Sequence, residues 1–200
     1  MQLLAPRRNR KLLRRESLVS CWHSISSRRI MAPAAPRRQG QTLTCTLDSV
    51  TSVVTVFKTI TEIDGLQVAM RWLNSRVPYR FTAIFAFDGD MLRNVCFVDK
   101  EDPDVTTCMD QPILDSYCTY IHRSGKTFSV ERASTDGRVV GHSKRESYQC
   151  YYGVPLFDAN GKILGTVCHF DIQPQSVIED VATTLDDLAP VISEAAFERK

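Results

Sequence analysis

The chain has 200 residues, of which 43% are hydrophobic and 24% are charged, with nine glycines and nine prolines. This is the composition of a globular chain with a sizeable core, and it excludes collagen, low-complexity disorder and disulfide scaffolds. The longest apolar runs, at residues 52–57 and 162–167, fall far short of the ~20 residues that a membrane-spanning helix needs.

Basic charge is concentrated at the N-terminus. Residues 1–40 hold ten Arg and Lys against one acidic residue, Glu16, whereas the rest of the chain holds 15 basic and 22 acidic side chains. This stretch lacks a sustained apolar face, so we predict a disordered basic extension. Three origins stay open: a segment upstream of a start at Met31, an organelle-targeting peptide, or an arm that binds phosphates. No motif in it indicates sequence-specific binding of nucleic acid.

Seven cysteines stand at positions 21, 45, 96, 108, 118, 150 and 168, with no C-x-x-C pair. No secretory signal with an apolar core opens the chain. We therefore expect reduced thiols and a cytoplasmic protein, with organelle targeting by residues 1–40 as the alternative. The default role of each cysteine is packing.

Two helices and a hairpin are predicted in the first half of the chain. Apolar residues three or four apart from Asp48 onward predict one helix, Gly65 a break, and residues 66–73 a second helix. From Phe81 the apolar period changes to two, and Asp88-Gly89-Asp90 favours a turn, which together predict a β-hairpin.

The middle of the chain predicts a short helix followed by a strand and a polar loop. Asp110 is placed to cap the helix, and Ser124-Gly125 to end it. A short strand is predicted at residues 127–130, and the polar loop extends to about Glu146.

A second hairpin and a closing helix complete the pattern. Residues 148–157 and 162–171 flank an Asp-Ala-Asn-Gly turn, and Ser176 with Glu179 has the spacing of a capping box at the start of an amphipathic helix. Because no βαβ repeat occurs, the order of elements predicts an α+β sandwich with a mostly antiparallel sheet.

The second hairpin carries a resemblance to a known family. Residues 152–168 spell Y-G-V-P-L-F-D-A-N-G-K-I-L-G-T-V-C, which is similar to the "G-V-P-L, acidic turn, Gly, apolar, Gly" hairpin of GAF domains. With the entry helices, first hairpin and closing helix, the resemblance covers about residues 41–200. It implies a small-molecule sensor module with its N- and C-terminal helices on one face of the sheet. The segment 100–147 would close a ligand cavity on the other face. The resemblance names no ligand or cofactor.

Hairpin geometry brings candidate site residues together. Cys150 is expected opposite residues 168–171, so it converges with Cys168, His169 and Asp171 on two neighbouring strands. A register difference of one residue decides whether Cys168 or His169 faces the cavity. The alternative is that the two cysteines are packing thiols and His169 is a satisfied or exposed histidine.

Cys118 and His122 are four residues apart and are expected on one helical face. They could supply two ligands of a zinc site, but the other two would have to come from Glu131, His142, Cys150 or His169 after folding. We predict no metal, and the alternative role for His122 is a favourable interaction with the helix dipole.

Six basic residues and only two acidic ones lie between positions 123 and 145, and His122 and His142 flank or join them. Such a rim can hold a phosphate or carboxylate ligand, although a solvated loop explains the same charges.

Taken together, the candidate ligand-binding residues are Tyr117, Cys118, His122, Glu131, His142, Tyr148, Cys150, Tyr152, Cys168 and His169.

The expected function is a non-catalytic small-molecule sensor that forms a homodimer and acts on a separate effector protein. Enzyme motifs such as H-E-x-x-H and G-x-x-x-x-G-K-[ST] are absent. One alternative is a redox enzyme centred on Cys118, resembling free methionine-R-sulfoxide reductases, although residues 138–146 lack that branch's loop cysteines. Another is a ligand-free dimerisation module. Cys168-His169 is also the dipeptide of bilin-attaching GAF domains, but here it lies in a predicted strand.

Overall fold

The computed structural model describes residues 47–177 and 179–198, and only the backbone of residues 47–52. The predicted extension at 1–40 lies outside the described residues. The four α-helices described are α1 (Leu47–Asp64), α2 (Leu66–Ser75), α3 (Cys118–Ser124) and α4 (Glu179–Ser193). As predicted, Gly65 separates the first two helices, with a φ of 89° that favours glycine.

All described strands belong to one antiparallel sheet. They are β1 (Phe81–Asp88), β2 (Met91–Asp99), β3 (Gln111–Pro112), β4 (Phe128–Val130), β5 (Cys150–Phe157) and β6 (Ile163–Asp171), in the spatial order β3-β2-β1-β6-β5-β4. The predicted α+β sandwich with a mostly antiparallel sheet is thus confirmed.

The sheet separates two apolar cores. On one face, Phe57 of α1, Leu73 of α2 and Leu185 of α4 pack against strand residues such as Val167. On the other face, α3 packs through residues such as Ile121. The terminal helices therefore cover one side, and much of the segment between β2 and β5 covers the other, as the resemblance implied.

The pairing of β5 with β6 fixes which side chains face each core. Cys150 lies opposite Asp171 and Gly153 opposite Cys168, within the predicted register. Because side chains alternate along a strand, Cys168 points to the α3 side, whereas its neighbour His169 points to the side of the terminal helices.

The segment after Asp110 differs from its prediction. Residues 111–112 pair with β2, and a short 3₁₀ turn at Ile113–Asp115 precedes α3, which starts only at Cys118. Asp110 caps no helix, because its Oδ1 accepts a hydrogen bond from the Asn94 N–H at 2.8 Å and ties the loop to β2. The predicted end of the helix is confirmed: Gly125 adopts a left-handed φ of 63°.

Candidate functional site

A cavity of about 370 Å³ lies between the sheet and the segment that leads into α3. Strands β1, β2, β5 and β6 supply its sheet side, and the loops around β3, α3 and residue 144 supply the rest. It is lined by Phe85, Phe97, Cys108, Met109, Asp110, Gln111, Asp115, Ser116, Tyr117, Cys118, Lys144, Tyr148, Tyr151, Cys168 and Phe170. The cavity thus combines aromatic walls, three thiols and three charged side chains.

Two buried thiols and a tyrosine form one group in this lining. Cys118 and Cys168 are at most 1% exposed, and the Tyr151 hydroxyl donates to Cys118 Sγ at 3.4 Å. Gly153 makes this possible, since a Cβ atom there would collide with the hydroxyl end of Tyr151 and with Ile121. The group is therefore set by the strand register as well as by the residues themselves.

The two thiols differ in acidity. Burial alone would raise the pKa of Cys118, but hydrogen bonds from Cys168, Ser116 and Tyr151 hold it below its ordinary value. Burial, together with the adjacent Cys118, raises the pKa of Cys168 well above its ordinary value. Cys118 is therefore the thiol of this pair that is more readily deprotonated.

Aromatic rings build the walls of the cavity. Tyr148 meets Phe170 edge-to-face with ring centres 5.0 Å apart, and Tyr117 meets Tyr151 in the same manner at 5.6 Å. Phe97 also contacts Phe170, at 6.5 Å. These contacts hold the rings against one another and give the cavity a defined shape.

The charged side chains that line the cavity differ in their partners. Lys144 is half-buried, and within the described residues no ion pair or hydrogen bond reaches its ammonium group. Asp110 has both carboxylate oxygens engaged, one by Asn94 and the other by Arg93 at 3.1 Å. Asp115 is exposed and accepts a hydrogen bond from the Ser143 hydroxyl at 3.2 Å.

Lys144 is the only one of the six basic residues at 123–145 to line this cavity. Arg138 is held by Asp136 at 2.6 Å and donates to the Ser129 carbonyl, while Arg145 donates to the carbonyls of Ala133 and Ser134. These two arginines brace the loop, so the predicted basic rim contributes a single cation to the lining.

Four of the ten candidate residues line the cavity, namely Tyr117, Cys118, Tyr148 and Cys168. Three others, Cys150, Tyr152 and His169, lie on the opposite face of the sheet. The alternation along β5 and β6 places them there, and it settles the open register question in favour of Cys168.

The remaining three candidates are dispersed. His122 is exposed and packs edge-on against Phe87 at 4.7 Å. Glu131 accepts a hydrogen bond from the backbone of Val177 at 3.0 Å. His142 packs against the ring of Tyr117, with ring centres 4.6 Å apart, and does not line the cavity. Among the described residues, no cluster of three or more His, Cys, Asp or Glu could hold a metal ion.

His169 is enclosed in the core beneath the terminal helices. Its Nδ1 lies 2.8 Å from the Thr82 hydroxyl, which itself receives a hydrogen bond from the Asn74 amide at 2.7 Å. The Thr82 proton therefore points to Nδ1, and we assign the imidazole proton to Nε2, which has no partner within the described residues. Burial lowers the pKa of His169 to about 3.

Sequence reasoning missed several lining residues. Phe85, Phe97, Tyr151 and Phe170 sit on predicted strands, and Cys108 lies in a loop before the predicted helix. Once Cys168 was assigned to the cavity side, the two-residue period would have placed Phe170 there as well. Cys108 offered no comparable signal, because loop residues follow no period.

Solved structures of GAF domains are similar to this chain in fold. The GAF domain of an Acinetobacter phosphoenolpyruvate-protein phosphotransferase is 14% identical with a TM-score of 0.60, over 75% of this chain and 94% of that one. The protein has the GAF fold. No family model matches the sequence, and a search of curated proteins gives no match either.

Two further structures that are similar to this chain differ in what they bind. A free methionine-R-sulfoxide reductase from Neisseria meningitidis, in complex with its substrate, is 16% identical with a TM-score of 0.58, over 73% of this chain and 87% of that one. The phycocyanobilin-bound GAF domain of a cyanobacterial phytochrome is 13% identical with a TM-score of 0.57, over 75% and 97%. At such identities the likeness establishes the fold alone.

No helix in the described part of the chain has the length and hydropathy needed to cross a membrane.

Proposed function

We propose that this protein is a small-molecule sensor module and that its ligand occupies the cavity between the sheet and α3. The observation that carries the proposal is the cavity itself, of about 370 Å³, with aromatic walls and a few convergent polar groups. Binding sites for small molecules typically have this size and this mixture of apolar surface and sparse polar contacts.

The structural neighbours support this proposal. One GAF-fold neighbour holds phycocyanobilin and another is in complex with its substrate. These ligands belong to those proteins, and they show that the fold accommodates small molecules of different chemistry.

The sheet offers a direct route from ligand to terminal helices. Tyr151 and Cys168 line the cavity, whereas their strand neighbours Tyr152 and His169 pack in the core beneath the terminal helices. A shift of β5 or β6 would therefore move side chains on both faces of the sheet. In the proposed mechanism, ligand binding changes the packing of α1 and α4 in a homodimer or against a separate effector protein. The proposed compartment is the cytoplasm.

Native mass spectrometry of the purified full chain tests the proposal. A stoichiometric extra mass that is lost on denaturation supports a sensor and gives the mass of its ligand. A bare dimer that binds no compound in a metabolite screen contradicts it and favours a ligand-free dimerisation module.

A matched pair of variants locates the binding site. Cys108→Trp places a large ring in the cavity lining and is expected to abolish ligand retention. Thr106→Trp puts the same ring on an exposed position of the same loop and is expected to retain the ligand. Equal retention by both variants would place the ligand elsewhere.

Three thiols in one lining favour a second candidate, a cysteine-based reductase. Cys108, Cys118 and Cys168 all line the cavity, and Cys118 has the lowered pKa. In such a reaction two thiols become a disulfide, while the sulfoxide oxygen leaves as water and the substrate becomes a sulfide.

Thiol counting tests the reductase candidate. Incubation of the reduced protein with free methionine sulfoxide would remove two thiols, and Cys118→Ser would abolish the loss. Cys150→Ser, on the opposite face of the sheet, would leave it unchanged. Full ligand affinity in Cys118→Ser with no thiol loss in the unsubstituted protein would favour the sensor.

A further inference from the structure

We propose that the ligand is a planar aromatic carboxylate, with its ring between the aromatic walls and its carboxylate on Lys144. This inference rests on the proposed function, because it assumes that the cavity holds a ligand.

The walls carry the first part of the argument. Six aromatic rings line a cavity of about 370 Å³, namely Phe85, Phe97, Tyr117, Tyr148, Tyr151 and Phe170. Flat aromatic groups pack against such rings by offset stacking or edge-to-face contact, which adds to the burial that any apolar group would gain. The lining therefore favours a flat ring over an aliphatic chain.

The interior holds no formal charge. Its buried polar groups are the thiols of Cys118 and Cys168, the Ser116 hydroxyl, and the hydroxyls of Tyr117 and Tyr151, which already donate to the Tyr148 carbonyl and to Cys118. An ionised ligand group placed there would lose its hydration without a counter-charge. The charged end of the ligand must therefore lie with the charged residues of the lining.

Of the charged residues in the lining, Lys144 has an unused bonding capacity. Lys144 is a half-buried residue, and its ammonium group has no partner in the described chain. Asp110, by contrast, has both oxygens engaged by Asn94 and Arg93, and Asp115 is exposed beside Ser143. A ligand anion would supply the missing partner of Lys144, whereas a ligand cation would have to compete with Arg93 for Asp110 or pair with Asp115 at an exposed position, where water weakens the attraction.

The single basic residue of the lining, Lys144, favours a carboxylate over a phosphate. Phosphate sites typically use forked arginine donors, and the nearby arginines 138 and 145 are held by the loop carbonyls and by Asp136. A single lysine matches the single charge of a carboxylate.

Three compounds that share one ring system test the charge. Naphthylacetate, naphthylacetamide and naphthylethylamine are titrated by calorimetry into the full chain after any co-purified mass has been removed. A charge-assisted hydrogen bond at a half-buried site predicts that the acid binds about tenfold more tightly than the amide. The amine is expected to bind more weakly than the amide, and cyclohexylacetate more weakly than naphthylacetate.

Two lysine variants locate the charge. Lys144→Met is expected to reduce affinity for naphthylacetate about tenfold and to leave affinity for the amide within about twofold. Lys162→Met removes the same charge from an exposed turn and is expected to change neither affinity.

The possible failures are distinguishable. Equal affinity for acid and amide, or tighter binding of the amine, overturns the inference but leaves the sensor function standing. If no naphthalene compound binds while native mass spectrometry detects another bound mass, the inference again fails alone. If the protein is bare and binds nothing in a metabolite screen, both fail.

Discussion

Lowering the pH is expected to destabilise the protein through the enclosed His169. An unfolded histidine titrates near 6.5, whereas burial lowers the pKa of folded His169 to about 3. Between these two pKa values the histidine is protonated in the unfolded state and neutral in the folded state. The stability present above pH 6.5 is therefore lost as the pH falls towards 3. Two pH units below 6.5, linkage gives a loss of about 2.7 kcal/mol, or about 1.36 kcal/mol per pH unit.

The loss is measured by urea denaturation of the unsubstituted protein and His169→Phe at pH 7 and pH 4.5, followed by circular dichroism. The phenyl ring retains the stacking on Tyr79 but removes the titrating group and leaves the Thr82 hydroxyl without its acceptor. That second effect costs about 1 kcal/mol at both pH values, so it cancels in the comparison. The histidine His142 and the carboxylates titrate in both proteins and cancel too. Parallel losses of stability in the two proteins would refute the reasoning.

Three further outcomes are expected. Gly165→Ala pushes a Cβ atom into a backbone carbonyl of β1 and should lower stability by about 1–3 kcal/mol, and an unchanged melting temperature would contradict the close approach. Asp99→Asn removes the carboxylate that Arg80 binds with two hydrogen bonds of 2.9 and 2.7 Å and should cost about 2 kcal/mol at pH 7. Because Arg80 lowers the pKa of Asp99, the stability lost in Asp99→Asn should shrink in strong acid, where Asp99 is protonated in the unsubstituted protein as well. A loss of stability that does not change with pH would contradict this role of the Arg80–Asp99 pair. Tyr151→Phe removes the donor to Cys118 and should raise its pKa, seen as a shift of the thiolate ultraviolet absorbance to higher pH with Cys118→Ser as the blank.

The sequence predicted elements where local periodicity and turn chemistry agree with tertiary packing. The hairpin of β5 and β6 follows from its alternating apolar residues and its Asp-Ala-Asn-Gly turn. The observed pairing of Cys150 with Asp171 falls within the predicted range of residues 168–171, a range that left the facing of Cys168 and His169 open. Gly125 ended α3 as predicted, because a left-handed residue is needed there.

Asp110 shows where local rules failed. Its position before a proline favoured a helix cap, but the Asn94 N–H and Arg93 compete for the same carboxylate across the sheet edge. Partners 16 and 17 residues away leave no local signature, so the start of α3 could not be placed from sequence.

The sequence identified some of the residues that line the cavity, but it could not determine which face of a strand points into the cavity. Cys118 and Cys168 were identified, but Cys150, Tyr152 and His169 were assigned to the cavity because a strand's two faces look alike until a neighbour covers one of them. The sequence shows the excess of basic residues at 123–145. It does not show that Arg145 and Arg138 donate hydrogen bonds to backbone carbonyls of the loop instead of facing a ligand.

The shortness of the two outer strands restricts how copies of this protein can associate. The sheet ends in β3, two residues long and containing Pro112, and in β4, three residues long. Beyond these short strands, Asp110 accepts from the Asn94 N–H and Gln67 donates to the Phe97 carbonyl on the outer side of β2, and Pro155 interrupts the outer side of β5. An incoming strand would therefore find no continuous row of free N–H and C=O groups at either border. Growth into fibrils by strand addition is therefore disfavoured at these borders, which leaves side-chain surfaces, where complementarity of shape can select one partner among many, as the route open to an associating copy.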